Sequence, residues 1–308
     1  MPEGELLVAD GARIGVGDVV AMDALTFRSR GERVLLVGDT APLFAALVGT
    51  SLARAPSSSL DRTAESECSV VAGKLTCAGM DVGAGHHRAH IGPAPLDPAL
   101  PGDWSVLDYV TWSARLAGSP TGLARDQAHH AIERTGIASF ARSRVRSLAL
   151  PVRRAAVLAQ ALVTTPRVIV AESPLRGLEG SDLAFVLAAL ARATEGRGAI
   201  VTQERLDPAR ADGVLAASAT SIFAFARGAL VLDMNDAPPH ARSYRLRVTT
   251  NAEALRSELL HAGLDLRGGP ERFTLTLPAE RDTRIVFAAA AAAEAALVEL
   301  APIERPPA

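Results

Sequence analysis

An apolar run ending in glycine, Arg33-Val34-Leu35-Leu36-Val37-Gly38, passes directly into a segment of helical spacing that carries Leu43, Phe44, Leu47 and Val48 on one face before Gly49. A buried strand that turns at a glycine into a helix commits the chain to an α/β layer with that strand near its centre. It is also the order of a phosphate-binding turn. Such a turn reads G-x-x-x-x-G-K-[ST], because close backbone approach to phosphates needs glycine, the ammonium reaches the β- and γ-phosphates, and the hydroxyl holds magnesium. Of that pattern Gly38 alone is present, and the single lysine of the chain, Lys74, lies far from it. Two registers are open. Aligned without a gap, Phe44 takes the lysine position; with the turn about four residues short, Asp39 and Thr40 follow Gly38 directly and Thr40 takes it. Neither supplies a cation.

A length of 308 residues with 48% hydrophobic content implies one large domain plus a small one. Net charge is −2 and 31 of the 32 basic residues are arginine, with no basic stripe, so nucleic acid is not an expected partner. The N-terminal residues Met1-Pro2-Glu3-Gly4-Glu5 lack an apolar signal core, and the longest apolar run, Ile285 to Ala293, is too short to cross a bilayer. A cytoplasmic location is therefore expected. Cys68 and Cys77 flank a predicted hairpin and read as reduced core thiols. His86, His87 and His90 have ligand-like spacing but sit in a glycine-rich turn without a carboxylate or thiol partner, so they read as an exposed loop and no metal is expected. His129 and His130 read as solvent-facing on a helix, and Arg142, Arg144 and Arg146 as a solvated basic face.

Along the chain, Leu6 to Phe27 alternates as antiparallel strands, Arg54 to Glu67 is a polar connection, and Val70 to Gly79 reads as a strand pair. Helices follow from about Val106 to Ala149, then a helix over Arg153 to Leu162, a doubly buried strand Val168 to Ala171, a helix Asp182 to Ala193, and strands Ala199 to Thr202 and Ser221 to Ala226. Asn235-Asp236-Ala237-Pro238-Pro239 reads as a linker. Beyond it, strands at Tyr244 to Val248, Phe273 to Leu277 and Leu297 to Leu300, with helices Ala252 to Ala262 and Arg284 to Ala296, make a small α+β module. The predicted domains are 1–235, with a helical subdomain at about 103–150, and 242–303.

Seven landmarks in order resemble the ATP-binding cassette family, the motor subunits of ABC transporters. They are the approach Leu25-Thr26-Phe27 and Gly31-Glu32-Arg33-Val34 to the turn at Gly38; Gly73 and Gly79-Met80-Asp81-Val82; Ile91-Gly92-Pro93-Ala94-Pro95-Leu96 at the Q-loop; Asp103-Trp104-Ser105-Val106-Leu107-Asp108-Tyr109 at the start of the helical subdomain; Leu148 to Leu162 at the signature motif and its helix; Glu172-Ser173-Pro174-Leu175-Arg176-Gly177-Leu178-Glu179 at Walker B and the D-loop; and Val201-Thr202-Gln203-Glu204 at the switch. The resemblance implies an α/β fold, a P-loop NTPase-like cassette core with an antiparallel β subdomain and a helical subdomain. The C-terminal module is similar to the appendage of exporter-type cassette subunits.

It also implies what is missing. The signature Leu-Ser-Gly-Gly-Gln becomes Leu148-Ala149-Leu150-Pro151-Val152, so the serine hydroxyl is lost at Ala149 and Pro151 removes an amide donor. The Walker B aspartate is matched by Glu172, read as a vestigial or structural carboxylate, but the catalytic glutamate is matched by Ser173, which is no general base. The Q-loop glutamine falls at Leu96, the D-loop acid at Glu179 and the switch histidine at Gln203, while Phe27 reads as core rather than as an adenine platform. Gly38, Asp39, Thr40, Phe44, Leu96, Ala149, Glu172, Ser173, Glu179 and Gln203 are thus vestigial nucleotide-site positions, with no catalytic residue expected. Family subunits work head to tail, each nucleotide lying between one P-loop and the other subunit's signature. Paired with an intact cassette, this chain would leave neither composite site complete. The expected role is a non-hydrolysing structural or regulatory subunit, peripheral to the inner face of a membrane through a permease partner, beside a second cassette in a homo- or heterodimer. No cofactor is expected. The alternatives are an ATP-hydrolysing subunit with compensated motifs, using ATP and magnesium, and a soluble adaptor without a permease.

Overall fold

The computed structural model describes residues 5–53, 65–205, 212–233, 242–269, 271–278 and 283–302. They fall into two compact units, Met1–Asp233 and Met234–Pro307, and the predicted linker 235–239 lies outside the described residues.

The first unit runs β1 (Leu7–Val16), β2 (Val19–Arg28), β3 (Arg33–Gly38), α1 (Ala41–Val48), β4 (Ser51–Ala53), β5 (Glu65–Cys77), β6 (Met80–Asp81) and β7 (Ile91–Ala94). It continues with α2 (Val106–Leu116), α3 (Thr121–Thr135), α4 (Leu150–Leu162), β8 (Val168–Glu172), α5 (Gly180–Thr194), β9 (Gly198–Gln203), α6 (Asp212–Ser218), β10 (Ser221–Ala226) and β11 (Ala229–Asp233). One antiparallel sheet has the order β2-β1-β5-β4, with β6 paired to β5. The other, six-stranded, has the order β11-β10-β3-β9-β8-β7, parallel except for β11. In parallel strands flanked by layers on both faces every side chain can be buried, and Val168 to Ala171 and Ala199 to Val201 are. Helix α1 lies in the core between the two sheets, where Leu43, Phe44 and Leu47 join Ile14, Leu25, Leu75, Val170 and Phe223 in one apolar cluster. Phe27 packs with its ring centroid 4.5 Å from that of Phe223 and 5.8 Å from that of Phe225, which makes it core.

The helical subdomain opens with a capping box. Ser105 Oγ accepts from the Asp108 amide at 3.1 Å while the Asp108 carboxylate accepts from the Ser105 amide, so two otherwise orphaned donors are satisfied. Helices α3 and α5 are joined at their C-terminal ends by two arginines that donate reciprocally, Arg134 to the Arg192 and Glu195 carbonyls and Arg192 to those of Arg134 and Thr135. Cations there suit the partial negative charge of both helix ends.

Where a strand pair is expected at Val70 to Gly79, the structure has one 13-residue strand, β5. Gly73 is not a turn. It has φ of +68° and lies against the backbone of Gly11, where β1 slips register; a side chain there would overlap the Gly11 carbonyl. The turn comes later, at Ala78 and Gly79, which both have positive φ and lead into β6. The predicted connection 54–67 ends earlier than expected because Glu65–Glu67 pair with β4; its residues 54–64 lie outside the described residues. Cys68 and Cys77 are both buried, free and on β5, and burial pushes the Cys77 thiol up to about 12. The elements β4, α6 and β11 are too short to show a period.

The second unit runs β12 (Arg242–Thr250), α7 (Ala252–His261), β13 (Asp265–Gly268), β14 (Arg272–Leu277), α8 (Arg284–Ala292) and β15 (Ala296–Pro302), in the antiparallel order β13-β14-β12-β15. This is the β-α-β-β-α-β order of ferredoxin-like modules. Both helices lie on the sheet face bearing Leu246, Val248, Phe273 and Leu275, against which Leu255, Leu259 and Val286 pack. Strand β13 was not expected, since four residues with Leu266 as their buried apolar anchor carry no periodic signal. Helix α8 stops at Ala292 although alanines continue, because pairing of β15 with β12 begins at Ala296 and overrides helix propensity.

Candidate functional site

The entrance of α1 is where a phosphate cradle would stand. Two residues, Asp39 and Thr40, separate the end of β3 from the first residue of α1. Thr40 is the N-cap, 5% exposed, and its hydroxyl makes no capping bond; Phe44 is inside the helix, 3% exposed in the core. Of the two sequence registers, the helix therefore begins at the position that places Thr40 at its mouth. The two amides of the turn itself are taken by the protein: Asp39 N–H donates to the Phe225 carbonyl at 3.2 Å and Thr40 N–H to the Gly38 carbonyl at 2.9 Å. Pro42 removes another donor from the first turn. Gly38 has φ of +98°, and a side chain on it would overlap the Phe225 carbonyl oxygen, so β10 approaching β3 accounts for the glycine.

The remaining predicted positions gather at the C-terminal ends of β7, β8 and β9. Glu172, the last residue of β8, accepts from the Leu96 amide at 3.0 Å, so its carboxylate ties down the segment after β7. Ser173 is 5% exposed with φ of +39°, a backbone region that residues with a side chain rarely occupy, and is held there by its amide donating to the Thr202 carbonyl at 3.0 Å and the Thr202 hydroxyl at 3.2 Å. Gln203 ends β9 and is buried at 5%. Ala149 is the N-cap of α4 and Glu179 that of α5, neither with a side-chain capping bond; both are exposed.

Arg154 on α4 is the residue the sequence reading missed. Its side chain is 8% exposed, Nη1 lies 3.3 Å from Asp97 Oδ1, and Nε has no hydrogen-bond partner. Burial lowers its pKa, with Asp97 and Glu172 opposing that shift. The signal was present: a charged residue inside the run Val152 to Ala159, most of which is buried, needs a partner. Glu172 and Arg154 thus hold Leu96 and Asp97 from two sides, and Arg176 with Glu204, 2.7 Å apart, forms a second ion pair at this edge. The carboxylate at this edge is used for internal bonding.

The histidine cluster differs from expectation. His86 to His90 form a short 3-10 turn, but His87 is fully buried, and its Nε2–H donates to the Leu47 carbonyl at the end of α1, 2.7 Å away. Among the described residues no three His, Cys, Asp or Glu side chains gather as a metal site. Burial, with Arg88 beside it, holds the His87 pKa below the ordinary 6.5, against the Leu47 carbonyl and Asp81. A histidine kept neutral in the fold gives stability that is full above the unfolded value near 6.5 and is lost as pH falls below it. Melting temperature therefore falls more steeply below that pH in the native chain than in His87→Gln, which cannot titrate; parallel pH profiles from calorimetry would refute this. His129 and His130 are exposed on α3, and Arg142, Arg144 and Arg146 are exposed, with Arg146 paired to Asp103 at 2.7 Å.

No protein-family profile matches the sequence. Among solved structures, cbiO1 from Clostridium perfringens, described as part of the ABC transporter complex cbiONQ, is similar with a TM-score of 0.58 at 17% identity, over 75% of this chain and 88% of that one. A nucleotide-free ATP-binding cassette from an ABC transporter matches with a TM-score of 0.57 at 12% identity, over 74% and 90%. The ADP conformation of MJ1267, an ATP-binding cassette of an ABC transporter, matches with a TM-score of 0.55 at 14% identity, over 74% and 90%. With β3 turning at Gly38 into a core helix, five parallel strands, an antiparallel sheet opposite and an inserted helical subdomain, the chain has the ATP-binding cassette fold.

Proposed function

We propose that this chain is a cassette-type subunit that does not hydrolyse ATP and serves as a structural or regulatory component of a membrane transport assembly. The observation that carries the reading is the two-residue passage from β3 to α1, in which the Asp39 and Thr40 amides are consumed by protein carbonyls and no cation is supplied. A triphosphate has neither a wrapping backbone nor a countercharge there. Ser173 supports the same conclusion from the chemical side, since a hydroxyl in place of a carboxylate cannot take a proton from water. Each absent stabiliser of this kind is about 2–4 kcal/mol of barrier, and general-base loss alone is about 10²–10⁴ in rate.

A partner in the membrane is supported by the description of cbiO1 as part of a transporter complex. Among the described residues no helix is long and apolar enough to cross a membrane, so attachment would run through another protein. Trp104 and Trp112, 38% and 44% exposed with ring centroids 5.5 Å apart, line a shallow depression with Asp108, Thr111 and Arg115 on the helical subdomain. Exposed paired tryptophans are the composition of a contact surface. The permease and a second cassette are the partners that this reading supplies.

The reading is tested by affinity purification from detergent-solubilised membranes together with ATP turnover. A polytopic membrane protein co-purifies in stoichiometric amount, and turnover equals that of buffer. Ser173→Glu, which restores the missing carboxylate, leaves turnover at that background because the phosphate grip is still absent. Native turnover above background would end the non-hydrolysing reading, a gain on Ser173→Glu would show that the phosphate grip is present after all, and purification without a membrane protein would end the transport reading.

A further inference from the structure

Because α7 and α8 both pack on one face of the second unit's sheet, the other face consists of the alternate residues of its strands. On the two central strands these are Arg245 and Arg247 of β12, and Arg272, Thr274 and Thr276 of β14. Arg245 and Arg272 are exposed and Arg247 is half-buried. Register sets Arg247 directly opposite Arg272, and Arg245 opposite Thr274. Like charges directly across a strand pair are unfavourable. One acid offsets them: Glu299 of β15, opposite Arg247 on its other side, lies 3.8 Å away. Among the described residues, Arg245 and Arg272 have no acidic partner, and packing within the unit does not account for the placement.

The spacing has a specific complement. Arg245 and Arg247 are about 6.8 Å apart along one strand, and Arg272 stands about 5 Å across from Arg247. An extended chain with carboxylates at alternate positions repeats at the same about 6.8 Å on one side. Planar guanidinium forks match carboxylates two bonds at a time, and the half-buried Thr274, opposite Arg245, and Thr276 beyond it carry hydroxyls that can donate as well. Single-stranded nucleic acid fits less well. Its bases need rings to stack on, and the aromatic residues of these strands, Tyr244 and Phe273, are buried on the helix side. A lipid surface also fits less well, because among the described residues of this unit two of the three large exposed apolar side chains, Leu260 and Phe287, belong to α7 and α8, across the sheet from the arginines, and only Val298 lies on a strand.

We propose that the helix-free sheet face of the C-terminal unit, centred on Arg245, Arg247 and Arg272, docks an acidic protein segment in extended conformation. This goes beyond the transport role and does not depend on the nucleotide site. The probe is a fluorescent peptide of alternating glutamate and threonine, titrated into the full chain at low salt and followed by anisotropy, with an alternating lysine and threonine peptide as control. The acidic peptide binds and the basic one does not; Arg245→Ser with Arg272→Ser weakens binding by about fivefold to tenfold, and Glu299→Gln tightens it by about twofold to fivefold. Both effects shrink as salt is raised. Glu299→Gln keeps the test decisive if the double variant fails to fold. No acidic-peptide binding, equal binding by the folded double variant, or no gain on Glu299→Gln overturns the proposal. So does tighter binding of phosphatidylserine vesicles or oligothymidine through the same arginines.

Discussion

Replacing Phe44 with lysine unfolds the first unit and gives it no hold on a nucleotide. Phe44 is the residue that an ungapped reading of the turn places where the phosphate-binding ammonium belongs, so by sequence alone the variant restores a missing group. In the structure the side chain is 3% exposed among Leu25, Leu75, Val170 and Phe223, in the core beside α1. Removing a buried phenylalanine costs about 3–5 kcal/mol, and the ammonium that replaces it must be buried unpaired or give up its proton. The total reaches about 5 kcal/mol or more, a large part of the about 5–15 kcal/mol that holds a typical domain folded. Circular dichroism at room temperature shows loss of cooperative unfolding in Phe44→Lys. Thr40→Lys puts the ammonium at the N-cap on the helix mouth, at a position 5% exposed, and still binds no magnesium-ATP, since the amides of Asp39 and Thr40 remain engaged. A folded Phe44→Lys with a melting temperature raised by ATP would reverse this account.

The sequence made the strand-turn-helix at Gly38 legible because a continuous apolar run, a glycine and a helical period fall within a few residues of one another. The central place of β3 followed, and with it the parallel layer. What the sequence left open was the register, because Thr40 and Phe44 differ by four positions and α1 is apolar enough for either. Only the position of the N-cap, set by how β10 meets β3, decides which residue stands at the mouth. His87 was misread for a related reason. Local glycines and neighbouring polar residues described a loop, while its burial depends on Leu47, forty positions earlier. The bond from the Leu96 amide to Glu172 and the ion pair of Arg154 with Asp97 likewise join segments distant in sequence. Residue type identified Glu172 as a carboxylate at the end of a buried strand; that it serves a protein amide is a property of packing.

Gly38→Ala separates a glycine kept for phosphate from one kept for packing, and its expected result is loss of stability. In a phosphate-cradling loop the added methyl group would face ligand space, so the variant would stay folded and lose affinity for nucleotide. Here the residue has φ of +98°, and the methyl would overlap the Phe225 carbonyl oxygen, which also accepts from the Asp39 amide. That carbonyl belongs to β10, whose parallel pairing with β3 runs from Ser221 against Val34 to Phe225 against Gly38, so the strands cannot separate at one end without breaking the ladder. The unfavourable backbone region costs about 1–3 kcal/mol and the overlap about 1–3 kcal/mol more. Chemical denaturation of Gly38→Ala should show stability lower by about 2–6 kcal/mol. Adding magnesium-ATP to the native chain should leave the midpoint unchanged, because a ligand that does not bind the folded state cannot shift it. A variant that unfolds at the native midpoint, or a native midpoint that rises with ATP, would assign Gly38 to a ligand instead of to β10.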